Sequence, residues 1–368
     1  MRNKVIKVLH VSTPKSWRGG EQQLAYLYEE LDSKNVIQFI LCRKGGELAI
    51  KGKAKNWNII ESAKVTAIDI NFARKLKVIC KENNIDLVHT HDSHAHSFAI
   101  LAASIWGNKT PIVVSRRVDF AIKPNWFSKF KYNHHLVKRI LCVSNAIKDI
   151  TAPDINNKSV LKTVYSGIDL SRFKDSNKNL GILRKEYNIS SETKIIGNVS
   201  AIAPHKDYYT FIDTVEILVK QDREYHFFII GTGPLEKETR AYVENKNLNK
   251  HITFTGFRTD IPKILPELDV FLITSETEGL GTSVIDAFVC KVPVVATKAG
   301  GITELVKHEK TGLLAEIKDA KVLADHINLL FSGSIDLKKI TNNQQELLSG
   351  FTREATAEKT LIEYYSIV

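Results

Sequence analysis

Short, nearly continuous apolar runs recur from one end of the chain to the other, separated by stretches whose apolar positions fall three and four apart. In the first half, Val5–Val11, Val36–Leu41, Leu87–His89, Ile112–Ser115 and Ile140–Val143 predict strands, and Glu21–Leu31 and Ser97–Trp106 predict helices between them. The second half repeats the scheme with Lys194–Val199, His226–Ile230, Ile252–Thr255, Val270–Ile273 and Val292–Ala296. A strand that is apolar at consecutive positions is buried on both faces, as in a parallel sheet covered by helices. The expected fold class is therefore α/β, with two Rossmann-like domains that take ligands at the C-terminal ends of their strands. The junction is expected after Phe173, where Lys174–Asn179 is polar and aperiodic, giving domains 1–173 and 174–352. A last helical pattern, Arg353–Ile367, ends the chain, and there is no low-complexity segment or short repeat.

Composition adds limits. At 368 residues with 43% hydrophobic and 25% charged, the chain can bury two cores and is not of the disordered class. No run approaches the roughly 20 apolar residues of a membrane span, and the apolar part of Met1–His10 is too short for a signal-peptide core. A cytoplasmic location is expected. Cys42, Cys80, Cys142 and Cys290 lie far apart beside aliphatic residues, which reads as buried free thiols.

Charge is unevenly spread: residues 1–173 hold 28 Lys and Arg against 14 Asp and Glu, and the remainder holds 24 against 27. An anionic partner should therefore face the N-terminal half. Its most basic piece, Arg116–Arg139, interleaves Arg116, Arg117, Lys123, Lys129, Lys131, Lys138 and Arg139 with Phe120, Trp126, Phe127, Phe130 and Tyr132. That mixture fits an anionic membrane surface. It fits equally a solvated basic face whose rings belong to the core. Nucleic acid is not expected as a partner, because no recognised binding module accompanies the charge.

The densest chemical signal runs from Ser275 to Ala287, directly after the strand Val270–Ile273. Strand, glycine-containing turn and helix start are the parts that aim backbone N–H groups at a phosphate. Gly279 and Gly281 allow close approach, Leu280 lies between them, and Thr282 and Ser283 offer hydroxyls. Glu278 in the loop and Asp286 inside the helix can each accept sugar hydroxyls. A buried carboxylate such as Asp286 also needs a partner.

The run Glu278–Asp286, with Lys291–Thr297 and Gly300-Gly301-Ile302-Thr303-Glu304 after it, resembles the signature of retaining GT-B glycosyltransferases of family four. Gly19-Gly20-Glu21, Val164–Asp169 with Phe173, Ile229–Pro234 and Phe254–Phe257 resemble further family segments in the same order along nearly the whole chain. The resemblance implies a GT-B fold with parallel sheets facing a central cleft and the terminal helix, 353–368, returning to the first domain. It implies transfer of a sugar from a nucleotide-diphosphate donor to an acceptor hydroxyl with retention, and no cofactor or metal beyond that co-substrate. On this resemblance Glu278 holds the donor sugar, Asp286 the ribose, and amides at Gly279–Thr282 the distal phosphate. Lys206 neutralises the leaving diphosphate. Gly19, Gly20 and Gly231 line the donor loops, and Phe257 and Arg258 lie near the base. The basic N-terminal half would take the acceptor, a lipid-linked or phosphorylated glycan of cell-envelope polysaccharide or lipopolysaccharide synthesis, at the inner membrane face.

Three positions depart from the family pattern. Asp286 stands where a second glutamate is usual. Ala201 stands where an arginine is usual, so Arg18, Arg258 or His205 would have to replace it. Arg117 stands in the place of a histidine beside the reacting carbon; it can hold a phosphate or developing charge but cannot act as a base. The cluster His89-Thr90-His91-Asp92-Ser93-His94-Ala95-His96 could put alternating imidazoles on one face as a metal site. No hydrolase-type metal motif completes it, so the reading is acceptor binding by His89, His91 and Arg116, or a hydrogen-bonded loop. A GT-B epimerase or phosphorylase and a non-catalytic nucleotide-sugar-binding protein remain as rival readings.

Overall fold

A computed structural model describes residues 5–63, 69–177, 180–221 and 223–368. The chain divides into two units, Met1–Gly167 with Arg353–Val368, and Ile168–Thr352.

The first unit carries strands β1 (Ile6–Ser12), β2 (Val36–Arg43), β3 (Ile59–Ser62), β4 (Leu87–Thr90), β5 (Ile112–Arg116), β6 (Val137–Cys142) and β7 (Leu161–Thr163), in the order β3-β2-β1-β4-β5-β6-β7. The second carries β8 (Lys194–Val199), β9 (Tyr225–Ile230), β10 (Ile252–Gly256), β11 (Val270–Ile273), β12 (Val294–Thr297) and β13 (Leu313–Ala315), in the order β10-β9-β8-β11-β12-β13. Every described strand pairing in both sheets is parallel. In each sheet the winding reverses once, between β1 and β4 and between β8 and β11. Crossovers leave the sheet in opposite directions there, so the strand ends open a crevice for a ligand.

All ten expected strands form, with ends shifted by up to three residues. β3, β7 and β13 were not expected; each has three or four residues at a sheet edge, and only the neighbouring strand defines it. The helix expected from Ser97 begins at Ser93, because the Asp92 carboxylate caps the amides of His94 (2.9 Å) and Ala95 (3.0 Å). His94 and His96 therefore lie on a helix, and the expectation that all the histidines alternate at a strand end does not hold beyond His91. The junction falls at Gly167 rather than Phe173: the amide of Ile168 donates to Phe351 O, fastening Ile168–Phe173 to the second unit.

The terminal helix Arg353–Tyr365 lies on the first unit against helix Gly19–Asp32. Ala357 and Tyr364 share a core with Ile6, Val8, Leu27 and Leu31, and Arg353 pairs with Glu29 and Glu30. Among the described residues no helix is long and apolar enough to cross a membrane.

Candidate active site

The switch point of the second sheet is built from two loops. The one after β8 leads through the 3-10 turn Pro204–Lys206 to Asp207, which is held at φ +44° and caps helix Tyr208–Val219 through the Thr210 amide. A non-glycine residue in that conformation is strained. The one after β11 passes through Thr274 and Ser275, both buried, to Glu278 and helix Thr282–Val289. Backbone bonds sew the loops together: Glu276 N donates to His205 O at 2.9 Å, and the Thr274 hydroxyl donates to Asp207 O at 2.9 Å. The Lys206 ammonium is thereby brought onto the Glu278 carboxylate, which also accepts from Ser275 Oγ at 3.0 Å. Both side chains are largely withdrawn from solvent.

Gly281 opens the helix at φ +85°, a left-handed conformation that glycine adopts without a Cβ penalty. Thr282 is exposed and Ser283 half-exposed at this helix start. One turn in, Asp286 has a buried Oδ1 with no hydrogen-bond partner among the described residues. Burial pushes its carboxyl up to about 6, against a smaller opposing pull from Arg172.

Gly231 sits where a Cβ would lie 2.1 Å from Ser200 O, at φ +141°. The close approach lets the loop after β9 brace the segment leading to Lys206, with Ile202 N donating to Thr232 O at 3.1 Å. Gly231→Ala is expected to cost on the order of 1–3 kcal/mol through strain and clash, seen as a lowered melting temperature together with weakened nucleotide binding. A variant with wild-type melting would show that this turn does not need glycine.

Phe257 is 77% exposed. Arg258 is engaged: it donates to Asp260 at 2.8 Å through both Nε and Nη2, and to Glu186 at 2.7 Å. Two carboxylates thus already balance its charge, which disfavours it as the replacement for the arginine missing at Ala201. Arg18 is exposed and makes no ion pair among the described residues.

In the first unit the switch point carries His10 from β1, His89 from β4 and His91 just past the end of β4, with ring centres 4.1–5.8 Å apart and the rings tilted on one another. His10 Nδ1 faces His91 Nε2 at 3.1 Å, and His10 Nε2 faces Gln38 Oε1 at 3.2 Å. His89 is held by Tyr364 OH (2.6 Å) and Ser115 Oγ (2.9 Å). Burial pushes His10 down to about 4, and His89 and His91 well below the usual imidazole range, so all three are neutral near pH 7. The three rings have nitrogens close enough together to hold a metal ion. Five of the six ring nitrogens are already hydrogen-bonded, so a cation would have to break that network.

Arg117 joins this cluster, donating to Ser115 Oγ and Ser166 Oγ at 3.3 Å each. Among the described residues its buried Nε has no hydrogen-bond partner and no carboxylate is in ion-pair contact with it; burial pushes it down to about 10, against a smaller opposing pull from Glu21. A cavity of about 20 Å³ beside it, lined also by Gln23, His89, Thr356 and Thr360, has room for about one water. Arg116, one residue earlier, points to the opposite face of the sheet, where its guanidinium is spent on Thr151 Oγ1, Tyr132 OH and Phe120 O. It is thus not brought together with His89 and His91. Gly19 and Gly20 open helix Gly19–Asp32, and a Cβ at either would meet nothing within 4 Å. The fold itself does not demand glycine there.

The basic Arg116–Arg139 stretch is less charged at its surface than its sequence suggests. Arg116 and Lys131 are buried, with Lys131 bonded to Ser93 and Ser97, and Arg139 is paired with Glu363. Its aromatic part is more exposed: Trp126 is 75% exposed and stacks on Phe130, and Phe120 is also exposed. Sequence reasoning missed His10, Gln38 and Tyr364, and gave Ser275 no role of its own within the Ser275–Ala287 run. For Gln38, a polar residue between Ile37 and Phe39 in an apolar run, a signal was present.

Two parallel-sheet units, each with polar groups gathered at its switch point, are the parts of the GT-B fold. Residues 17–172 match the model of Glycosyltransferase Family 4 and residues 181–347 that of Glycosyl transferases group 1, and the chain belongs to this glycosyltransferase family. It is 24% identical to the N-acetyl-alpha-D-glucosaminyl L-malate synthase of Bacillus anthracis, over 82% of this chain and 80% of that one. It is 23% identical to the UDP-Gal:alpha-D-GlcNAc-diphosphoundecaprenol alpha-1,3-galactosyltransferase of Escherichia coli, over 99% and 97%. Among solved structures, Anabaena HepE in complex with UDP and glucose superposes with a TM-score of 0.84 at 20% identity, covering 98% of this chain and all of that one.

Proposed function

We propose that the protein moves a sugar from a UDP-sugar to a hydroxyl of a phosphate-bearing or lipid-linked glycan in cell-envelope synthesis, with the anomeric configuration retained. The observation that carries this reading is the convergence of Lys206 and Glu278 at the switch point of the second sheet, beside the open start of helix Thr282–Val289. Lys206 would meet the diphosphate, the amides after Gly279 its distal phosphate, Glu278 the sugar hydroxyls and Asp286 the ribose. The donor class is supported by relatives that work with UDP or a UDP-sugar. The acceptor class is supported by the E. coli relative and by the poly(ribitol-phosphate) alpha-N-acetylglucosaminyltransferase of Staphylococcus aureus. The cationic Arg117, in ion-pair contact with no carboxylate among the described residues, would receive an anionic group.

In this reading the bond from the acceptor oxygen to the anomeric carbon forms on the face from which the bond to the diphosphate oxygen breaks. The acceptor proton passes to that departing oxygen. No protein base is required. The chain's task is positioning and stabilisation of growing phosphate charge. Thermal-shift measurements with UDP-, GDP- and ADP-sugars should show the largest rise with a UDP-sugar. NMR of the product should show the donor's anomeric configuration. Conversion without an acceptor would indicate an epimerase, phosphate consumption a phosphorylase, and binding without turnover a non-catalytic protein.

Asp286→Asn separates stability from binding. Because burial raises this carboxyl, the native state resists ionising it, and stability is lost as pH rises from about 4 through about 6. The asparagine variant should be more stable than wild type at pH 7.5, by about 1–3 kcal/mol, with the gain vanishing near pH 4. UDP-sugar binding should nevertheless weaken. A variant equally stable at both pH values, or with unchanged binding, would contradict this role.

Membrane contact is assigned to the surface with Trp126, Phe120 and Phe130, whose rings suit the headgroup region. Wild-type protein should co-sediment with anionic vesicles at low salt, and Trp126→Ala should reduce the bound fraction. Equal sedimentation with neutral vesicles, or none at all, would remove this part.

A further inference from the structure

The hydrogen bonds behind His91 determine which of its nitrogens carries the proton. Gln38 Nε2 donates to the backbone carbonyl of Tyr28 at 2.9 Å, which turns Gln38 Oε1, an obligatory acceptor, toward His10. His10 Nε2 must therefore bear a hydrogen. Burial keeps His10 neutral, so its Nδ1 is a bare lone pair, and the facing His91 Nε2 must donate to it across 3.1 Å. His91 is neutral as well, and its remaining nitrogen, Nδ1, has no proton to give. That Nδ1 is buried and accepts no hydrogen bond from any described residue, in a side chain only 5% exposed. Buried acceptors are ordinarily satisfied, so one held bare by an ordered relay calls for a donor from outside the chain. Its position, just past the end of β4 at the switch point of the first sheet, is where this kind of sheet receives ligands.

We propose that Gln38 and His10 are positioning residues that lock His91 as the Nε2–H tautomer, leaving its Nδ1 to accept a hydrogen bond from a sugar hydroxyl. The hydroxyl belongs to the acceptor or to the donor sugar. Naming it as a sugar's rests on the glycosyltransferase reading; the relay does not.

The test begins with the protein alone, labelled with 15N-histidine. Long-range proton–nitrogen spectra at neutral pH should show protonated Nε2 and bare Nδ1 for both His10 and His91. Gln38→Glu places a carboxylate against His10, protonates its second nitrogen and should reverse the His91 tautomer. A wild-type His91 protonated at Nδ1, or a tautomer unmoved by Gln38→Glu, overturns the relay.

The ligand arms use UDP, UDP-glucose, UDP-galactose and octyl β-D-glucoside as probes. A shift of the His91 Nδ1 resonance with a UDP-sugar but not with UDP assigns the hydroxyl to the donor. A shift with the glucoside assigns it to the acceptor. No shift with any probe in a protein that UDP-sugars do stabilise means that the nitrogen meets only buried water, and overturns the ligand role. If no UDP-sugar stabilises the protein, the donor reading fails, while the tautomer result stands separately.

Turnover distinguishes positioning from packing. His91→Leu should lower kcat/KM about tenfold or more, and His91→Asn, whose Oδ1 falls near the place of Nδ1, should restore most of it. Equal losses in both variants would contradict a lone-pair role.

Discussion

Glu278→Gln is expected to lower kcat by about 10²–10³-fold while leaving affinity for UDP unchanged or slightly higher. The carboxylate offers two charged acceptor oxygens to sugar hydroxyls, and the amide offers one neutral oxygen and a donor that cannot fill the same role. UDP lacks those hydroxyls, so its binding should not suffer. Lys206, relieved of its anionic neighbour, would have more positive charge for the diphosphate. Ser275 Oγ, now 3.0 Å from Glu278, still has an acceptor, which keeps the loop in place. The measurement is a split one: turnover with the donor identified by thermal shift, and UDP affinity by calorimetry. Wild-type turnover, or a parallel loss of UDP binding, would be incompatible with a grip on the sugar.

Lys206→Met should give the complementary pattern. It removes the cation assigned to the leaving group, so both UDP affinity and kcat should fall, the first by about tenfold or more and the second by about 10²-fold. The variant also leaves Glu278 buried without its counter-charge, which costs stability. The double variant Lys206→Met with Glu278→Gln should therefore melt higher than Lys206→Met alone, a non-additivity that reports direct contact. A single variant that melts normally and binds UDP like wild type would dissolve the proposed diphosphate site. Lys206→Arg should rescue affinity only in part, because a planar guanidinium does not replace a compact ammonium in a closed site.

The contact between Lys206 and Glu278 illustrates what local sequence can and cannot carry. Lys206 follows β8 and Glu278 follows β11, and both strands were legible because Val270–Ile273 is apolar throughout and Lys194–Val199 carries Ile195, Ile196 and Val199. Their contact spans 72 residues and exists only because β8 and β11 are neighbours at the point where the winding reverses. No spacing in the chain encodes that adjacency. Arg116 and Arg117 show the same limit on a smaller scale. Adjacent in sequence and equal in charge, they part at the end of β5, one into the core against Tyr132 and Thr151, the other toward His89 and Ser166. The period-two alternation of the strand decides this, once the sheet has set which face is which. The basic appearance of Arg116–Arg139 shrinks for a related reason: a residue's charge is fixed by its type, but its exposure is fixed by packing.

Composition and pattern by themselves determined that this is an α/β chain of two repeated halves, with a glycine-bearing turn after an apolar strand as its chemical focus. Those features are local: they follow from side-chain size, polarity and backbone freedom within a few residues. Only the tertiary structure decided that His10, Gln38 and Tyr364 complete the histidine cluster, that Asp286 keeps a buried oxygen without a hydrogen-bond partner among the described residues, and that Arg258 is already neutralised. Each of these depends on which distant groups share a low-dielectric space, and that is set by strand order and helix packing rather than by neighbours along the chain.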